Sequence, residues 1–169
     1  HVWRPDDGFR AGEVRNRAAR DATGELLVFV DGDCLLRPDV IARHRQLAEP
    51  GCAVAGNRVL LSRALTEAIE AGRANPLDWQ LADWWRARRG GDVGRLFPLL
   101  TLPGQAWRRS RPRHWLQFRS CNIAVWRDDY VRVNGFDERI SGWGFEDSDL
   151  AIRLINAGVR IKSGRFATA

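Results

Sequence analysis

The chain has 169 residues, of which 44% are hydrophobic and 28% charged, and its formal net charge at pH 7 is +6. This length predicts one globular domain that buries a substantial core, and no uncharged apolar run approaches the ~20 residues needed to cross a bilayer. The three cysteines are widely spaced and form no CxxC pair, which excludes a disulfide framework and a zinc site.

The sequence begins at His1 and contains no methionine, so we expect it to be a piece of a longer protein. Its cysteines are expected to be reduced, as in a cytoplasmic protein. The positive charge comes almost entirely from arginine, because Lys162 is the only lysine. Arginine suits bidentate binding of phosphate or carboxylate, although a solvated basic face explains the charge equally well.

The first predicted elements are a helix over 13–22, stopped by Thr23-Gly24, and a strand over Leu26–Val30. The strand is apolar on both faces, as in the middle of a parallel sheet, and it ends in Asp31-Gly32-Asp33. Ligands of open α/β sheets lie at the carboxyl ends of the strands. Two carboxylates there indicate a site for a hard divalent cation. A phosphate-bearing substrate would complete the coordination shell of that cation. The alternative is a plain Asp-Gly turn.

The next predicted elements are a helix over 39–48, a strand within the apolar run 52–61, and a short helix over 65–71. Gly56-Asn57 interrupts the apolar run. His44 falls at a core spacing of its helix, so we interpret it as a packed core histidine and not as a ligand.

The segment 76–113 is the only compositional anomaly, because it mixes four tryptophans with many arginines. Residues 77–88 follow helical spacing, whereas 90–112 is irregular. We interpret the segment as an insertion beside the main sheet. Its composition fits a peripheral membrane contact or a lid over an anionic ligand. We favour a third interpretation, a helix that packs its tryptophans onto the domain and leaves its arginines in water.

The last part of the chain predicts a strand within 118–126, a short helix over 128–133, a helix that starts at Glu146, and a final strand at 159–161. Before the long helix, Gly142-Trp143-Gly144 forms a loop with one large aromatic side chain. Glu146, Asp147 and Asp149 then occupy the first turn of the helix.

This second acid cluster has two interpretations. Carboxylates in a first turn favour the helix dipole, which requires no ligand. That does not account for the Gly-Trp-Gly loop in front of them. A tryptophan ring stacked on a pyranose, with carboxylates that bind its hydroxyls, does account for it, and one carboxylate could then deprotonate the attacking hydroxyl.

The two motifs together resemble family 2 glycosyltransferases of the GT-A fold. Asp31-Gly32-Asp33 follows an apolar strand, with Gly8 and Arg15-Asn16 ahead of it. Asn134-Gly135-Phe136-Asp137, followed by the 142–149 motif Gly-Trp-Gly-Phe-Glu-Asp-Ser-Asp, resembles the acceptor-side motif of that family and of the β-1,4-galactosyltransferases. The resemblance implies an α/β fold with a mostly parallel central sheet flanked by helices. It covers nearly the whole chain apart from the Trp/Arg insertion at about 76–113. It implies that 1–169 is one partial domain that lacks the N-terminal nucleotide-binding strands.

The resemblance also implies roles for matching residues. Asp33 would coordinate Mn²⁺ or Mg²⁺, and Asp147 would be the catalytic base. Donor binding would fall to Asp31, Gly8 and Arg15. Acceptor binding would fall to Trp143 and Glu146.

The implied reaction is inverting, metal-dependent transfer from a nucleotide-sugar, with a UDP-sugar as first choice, to a glycan or lipid-linked glycan acceptor. Bacterial surface polysaccharide or lipopolysaccharide synthesis is the expected setting, in the cytoplasm or at the inner membrane face. The alternative is a non-catalytic domain that binds sugar or an anionic polymer. Nucleic-acid binding through the Arg/Trp segment ranks last, because no recognisable nucleic-acid fold appears.

Overall fold

The computed structural model describes residues 3, 5, 8–100, 102, 104, 107–109, 111–142 and 144–165. Within these ranges the helices are α1 (Ala11–Asp21), α2 (Val40–Leu47), α3 (Arg63–Glu70), α4 (Leu81–Gly90), α5 (Arg127–Arg132) and α6 (Glu146–Asn156). The strands are β1 (Leu26–Val30), β2 (Cys52–Ala55), β3 (Asn122–Trp126) and β4 (Arg160–Ser163). Short 3-10 helices lie at Pro76–Asp78, Phe97–Leu99, Trp107–Arg109 and Trp115–Gln117.

The strands form one mixed sheet in the order β1-β3-β2-β4. β3 pairs antiparallel with both β1 and β2, whereas β2 and β4 pair in parallel. Three of the four described strands therefore run in one direction, and β3 alone runs against them. The predicted α/β class is confirmed, but the reversed strand β3 stands between β1 and β2, because the long excursion between β2 and β3 returns the chain to the edge at which β2 ends.

The register brings the carboxyl ends of three strands to one edge of the sheet. Val30, the last residue of β1, pairs with Asn122, the first residue of β3. Ala55 at the end of β2 pairs with Ile123 and also with Ser163 at the end of β4. The segments that leave β1, β2 and β4 and the segment that enters β3 consequently meet there, at the edge where α/β proteins bind ligands.

Helices cover both faces of the sheet, because its strands are apolar on both sides. On one face Phe29 and Ile123 pack with side chains of α5 and α6, among them Tyr130, Leu150 and Leu154. On the other face Leu47 of α2 packs against Val54 and Ala124. The core is therefore a sheet between two helical layers, as the apolar strand β1 predicts. The predicted place of β1 in the middle of a parallel sheet is wrong, because β1 stands at the end of the described strand order and pairs antiparallel with β3.

The Trp/Arg segment departs from its predicted form. Residues 77–88 are not one helix, because Asn75 caps a separate turn at Pro76–Asp78 and Gln80 starts α4 with a capping box that includes Asp83. α4 contains no buried residue. Its tryptophans do not pack uniformly onto the domain, since Trp84 is half-buried against Trp79 but Trp85 is exposed.

None of the helices in the described ranges combines the length and the apolar character that a bilayer crossing requires.

Candidate active site

A pocket of about 410 Å³ lies between the end of β1 and the start of α1. Its lining includes Gly8, Arg15 and Asp31, which are the three residues predicted for donor binding, together with Phe9 and Gly32. Gly8 has φ of +75°, a left-handed conformation that suits glycine and turns the chain into the pocket wall. The loop before α1 and the turn after β1 thus form one concave surface.

Arg15 joins the two acid clusters that the sequence separates. Its Nη2 donates to Asp31 Oδ1 at 2.8 Å, and its Nη1 lies 3.7 Å from Glu146 Oε1. The guanidinium also stacks over the Phe136 ring, with 5.3 Å between its carbon and the ring centroid. One partly buried cation of α1 therefore places the turn after β1 and the start of α6 at a single site.

Asn16, the next residue of α1, holds the Asn134-Gly135-Phe136-Asp137 turn in place. Its amide oxygen accepts from the Tyr130 hydroxyl at 2.5 Å and from Phe136 N at 2.9 Å, and its amide nitrogen donates to Phe136 O. A Cβ on Gly135, which has φ of +60°, would lie 2.5 Å from Asn16 Oδ1. The turn therefore needs glycine at this position, because the buried amide occupies the space of a side chain.

Asp33 is exposed at the tip of the turn after β1. Its Oδ1 lies 3.8 Å from the Cys34 thiol, which also approaches Cys121 O at 3.8 Å. Burial raises the pKa of Cys34, and the negative charges of Asp33 and Asp31 add to the rise. The thiol thus remains protonated, and most of the Asp33 carboxylate is left open to a ligand from solvent.

The oxygen ligands near Asp33 fit a metal cation whose other ligands come from a substrate. No group of three or more His, Cys, Asp or Glu side chains in the described ranges is arranged to hold a metal by itself. Two carboxylates on one turn are the oxygen ligands that Mg²⁺ and Mn²⁺ accept when substrate phosphates supply other positions. The residues present fit that arrangement and not a closed protein site.

The acids at the start of α6 differ in their partners. Asp149 is bound by Arg153, whose Nε donates to Oδ2 at 2.9 Å. Glu146 is only 8% exposed, and its Oε2 has no hydrogen-bond partner within the described part of the chain. Asp147 Oδ1 is buried and equally unpartnered there. Asp149 therefore stabilises the helix, whereas Glu146 and Asp147 each keep one buried oxygen without a described partner.

Cys121 lies within electrostatic reach of both acid clusters. Burial raises the pKa of its thiol, Asp31 and Asp147 raise it further, and Arg58 opposes them by its charge and by a hydrogen bond. Two carboxylates from distant parts of the chain and one guanidinium therefore act electrostatically on this residue at the entry to β3.

Two residues of this site were missed by the sequence reasoning. Arg58 follows β2 at the ligand edge, and the break at Gly56-Asn57 in the apolar run was the signal that could have located it. Phe145 is 82% exposed beside Glu146 and has φ of +73°. A left-handed conformation is costly for a bulky residue and is found most often at functional sites.

Trp143, predicted to bind the acceptor, lies outside the described residues. Its neighbour Gly142 donates its backbone N–H to Phe9 O at 3.2 Å. Phe9 lines the 410 Å³ pocket, so the Gly142 end of this loop adjoins the wall of that pocket.

Two protein-family models match the chain. Glycosyl transferase family 2 matches residues 1–98, and a model described as the N-terminal domain of galactosyltransferase matches residues 107–168. The boundary between the two matches falls in the Trp/Arg segment, and each match contains one of the two acid clusters.

Similar curated proteins include named glycosyltransferases. A "Validoxylamine A glucosyltransferase" of Streptomyces hygroscopicus subsp. jinggangensis is 30% identical over 98% of this chain and 40% of its own length. The "Uncharacterized glycosyltransferase YfnE" of Bacillus subtilis is 29% identical over 89% of this chain and 45% of its own length. The "O-antigen biosynthesis protein RfbC" of Myxococcus xanthus is 27% identical over 92% of this chain and 12% of its own length.

The chain thus spans less than half the length of these relatives. The family 2 match covers more than half of the chain and includes the turn after β1. The chain therefore belongs to glycosyl transferase family 2.

Proposed function

We propose that the chain supplies the donor and acceptor sides of an inverting, divalent-cation-dependent glycosyltransferase that uses a nucleotide-sugar. The observation that carries the proposal is the meeting of the two acid clusters at Arg15, which bonds Asp31 at 2.8 Å and lies 3.7 Å from Glu146. A diphosphate beside Asp31 and a sugar hydroxyl beside Asp147 would then share one cleft.

Asp147 is the proposed general base. Its buried, unpartnered oxygen can accept the proton of an acceptor hydroxyl as the hydroxyl oxygen attacks the anomeric carbon. The new C–O bond forms while the bond from the anomeric carbon to the diphosphate oxygen breaks, and the diphosphate leaves with the electron pair. Because this is one displacement, it inverts the anomeric centre and needs no protein nucleophile.

Asp33 is the proposed ligand of Mn²⁺ or Mg²⁺, with Asp31 beside it. A bound divalent cation would neutralise charge that develops on the leaving diphosphate. Arg15 and Arg58 add permanent positive charge at the same edge of the sheet, and arginine binds phosphate oxygens in a bidentate manner. Gly8, Arg15 and Asp31 are proposed to hold the donor, because all three line the 410 Å³ pocket.

The proposed donor is a UDP-sugar, and the proposed acceptor is a glycan or lipid-linked glycan held by Glu146 and Trp143. One relative is named for glucosyl transfer and another for O-antigen biosynthesis. UDP-glucose and acceptors of bacterial surface polysaccharide or lipopolysaccharide are therefore the first to test. The free state of the described cysteines agrees with a cytoplasmic site for the reaction.

The test is a donor screen on the full-length protein with Mn²⁺, Mg²⁺ or EDTA, in which release of nucleoside diphosphate is measured. We expect the release of nucleoside diphosphate to require the cation. Asp33→Asn should lower the rate of release roughly a hundredfold, since a cation supplies several kcal/mol of transition-state stabilisation. Asp128→Asn on α5, an exposed carboxylate away from this edge, is the control and keeps full activity.

Release that persists in EDTA, or that Asp33→Asn leaves unchanged, would contradict the role of the cation. A full-length protein that binds sugars but releases no nucleotide with any donor would favour a non-catalytic sugar-binding domain.

A further inference from the structure

Helix α4 presents an apolar and basic face to solvent, which we call the α4 outer face and define as Leu81, Trp85, Arg88 and Arg89. Leu81 is 75% exposed and Trp85 is 62% exposed. Residues four apart lie one above the other on a helix, so the two side chains are neighbours. Arg88 and Arg89 follow Trp85 at three and four residues and lie on the same face.

Two other side chains of α4 are less exposed. Trp84 is half-buried beside the outer face, and its ring meets the Trp79 ring edge-on at 5.1 Å. Asp83, the only acid of the helix, is also half-buried and accepts the Gln80 N–H at 3.0 Å. The acid of α4 therefore lies away from the outer face, whose apolar pair and arginines are exposed.

The charge of the α4 outer face selects its partner. A tryptophan with an exposed leucine and adjacent arginines is the combination found on helices that lie at the surface of anionic membranes. The arginines match lipid phosphates, and the indole suits the boundary between headgroups and acyl chains. Other exposed apolar side chains of the same segment are Leu77, Phe97 and Leu100.

We propose that the α4 outer face docks the protein on a membrane that contains anionic phospholipid. Leu81 and Trp85 enter the headgroup boundary, and Arg88 and Arg89 bind lipid phosphates. This attachment does not depend on the proposed transfer reaction, because α4 lies outside the 410 Å³ pocket. It would hold the site near substrates that are themselves anchored in a membrane.

The test is co-sedimentation of the full-length protein with vesicles of phosphatidylcholine, with and without phosphatidylglycerol. We expect binding that requires phosphatidylglycerol. Trp85→Ser should weaken it at least roughly tenfold, from the lost burial of one large apolar side chain. Arg88→Gln and Arg89→Gln should each weaken vesicle binding about fivefold. The two substitutions together should remove most of the salt dependence of binding.

Matched controls lie on α5, where Val131 is 66% exposed and the Arg132 side chain is 53% exposed. Val131→Ser and Arg132→Gln should leave vesicle binding unchanged. Because all the substituted side chains are exposed, each variant should keep the wild-type free energy of unfolding, which denaturant titration checks.

Three results would overturn the proposal. The first is no binding to anionic vesicles at ~0.1 M salt, where exposed charges still act over about 10 Å. The second is that Trp85→Ser and Val131→Ser weaken vesicle binding equally. The third is a change of oligomeric state in Trp85→Ser, measured by light scattering, since the face would then be covered by a second copy of the chain.

Discussion

At the scale of single residues, the site separates acids that the sequence treats alike. Asp147 and Asp149 both stand in the first turn of α6, yet Arg153 binds Asp149 at 2.9 Å, whereas Asp147 keeps a buried oxygen without a described partner. Asp31 and Asp33 divide in the same way, because Arg15 bonds Asp31 and leaves Asp33 exposed. In each pair an arginine binds one carboxylate, whereas no described arginine pairs with the other.

Phe145 provides a test of strain at this site. Phe145→Ala and Phe145→Gly both remove the exposed ring, but only glycine relieves the left-handed backbone at φ of +73°. We expect the glycine variant to be more stable than the alanine variant by about 1 kcal/mol. Denaturant unfolding of the two variants measures this difference.

Both variants should weaken acceptor binding equally if the ring contacts the acceptor. Equal stability of the two variants would show that the residue is not held in the left-handed region.

At the scale of elements, α1 joins the two halves of the site. Arg15 reaches the turn after β1, and Asn16 holds the turn before the Gly142 loop through Tyr130 and Phe136. Gly12 lets the helix approach closely, since a Cβ there would already lie 3.2 Å from Phe136 Cβ. The geometry of the proposed active site thus depends on the packing of one amphipathic helix.

Graded substitutions measure how strongly α1 holds this turn. Tyr130→Phe removes one hydrogen bond to Asn16 and should cost about 1 kcal/mol of unfolding free energy. Asn16→Ala removes four described bonds, to Tyr130, to both backbone groups of Phe136 and to Glu138, and should cost about 3 kcal/mol or more. Arg17→Ala on the same helix serves as a control, because its side chain is 40% exposed. A loss in Asn16→Ala no larger than that in Tyr130→Phe would contradict the role of Asn16.

A second buried pair supports the turn that carries Arg58. His44 of α2 is fully buried, and its Nε2 lies 2.6 Å from Asn122 Oδ1. Asn122 Nδ2 donates to Asn57 O at 2.8 Å, so the amide oxygen must accept and His44 Nε2 carries the proton. A Cβ on Gly56 would lie 2.5 Å from Asn122 Cγ, which fixes the path of the chain toward Arg58.

This pair predicts a pH dependence of stability. Burial lowers the pKa of His44 below 6.5, so the folded state binds fewer protons than the unfolded state once the pH falls below that value. The stability is therefore complete above pH 6.5 and declines with falling pH by up to about 1.4 kcal/mol per unit. Unfolding free energies measured from pH 7.5 to 5 should show this decline in the wild type and a shallower one in His44→Gln. If the unfolding free energy fell equally steeply with pH in the wild type and in His44→Gln, proton uptake by His44 would not be linked to unfolding.

At the scale of the whole molecule, the local patterns were the predictable part. The bounds of β1 and the start of α6 were predicted correctly, because an apolar run ends in acids at one and an acidic first turn begins the other. The strand predicted within 118–126 begins only at Asn122, since Asn122 N bonds back to Arg119 O in a turn. The 77–88 helix was wrong because capping by Asn75 and Gln80 divides it. Asn75 before Pro76 is a typical cap residue that the sequence shows, whereas glutamine is not.

The tertiary part could not be predicted from local patterns. Arg58 enters the site only because β2 and β1 end at the same edge, and that follows from the pairing of both strands with β3. The bonds of Asn16 join residues about 120 positions apart, which no periodicity reveals. The roles of Asp33 and Asp147 remain predictions, and the approach of Asp31 and Glu146 to the same Arg15 guanidinium favours a common cleft.

The central claim is that Asp147 acts as the base in a cleft shared with the donor. Its most direct test compares sugar transfer and nucleoside-diphosphate binding in the Asp147→Asn variant of the full-length protein. We predict that kcat falls by about 10²- to 10⁴-fold while nucleotide affinity is unchanged, since the amide keeps the shape but accepts no proton. Undiminished turnover in this variant, or a loss of nucleotide binding as large as the loss of transfer, would contradict the account.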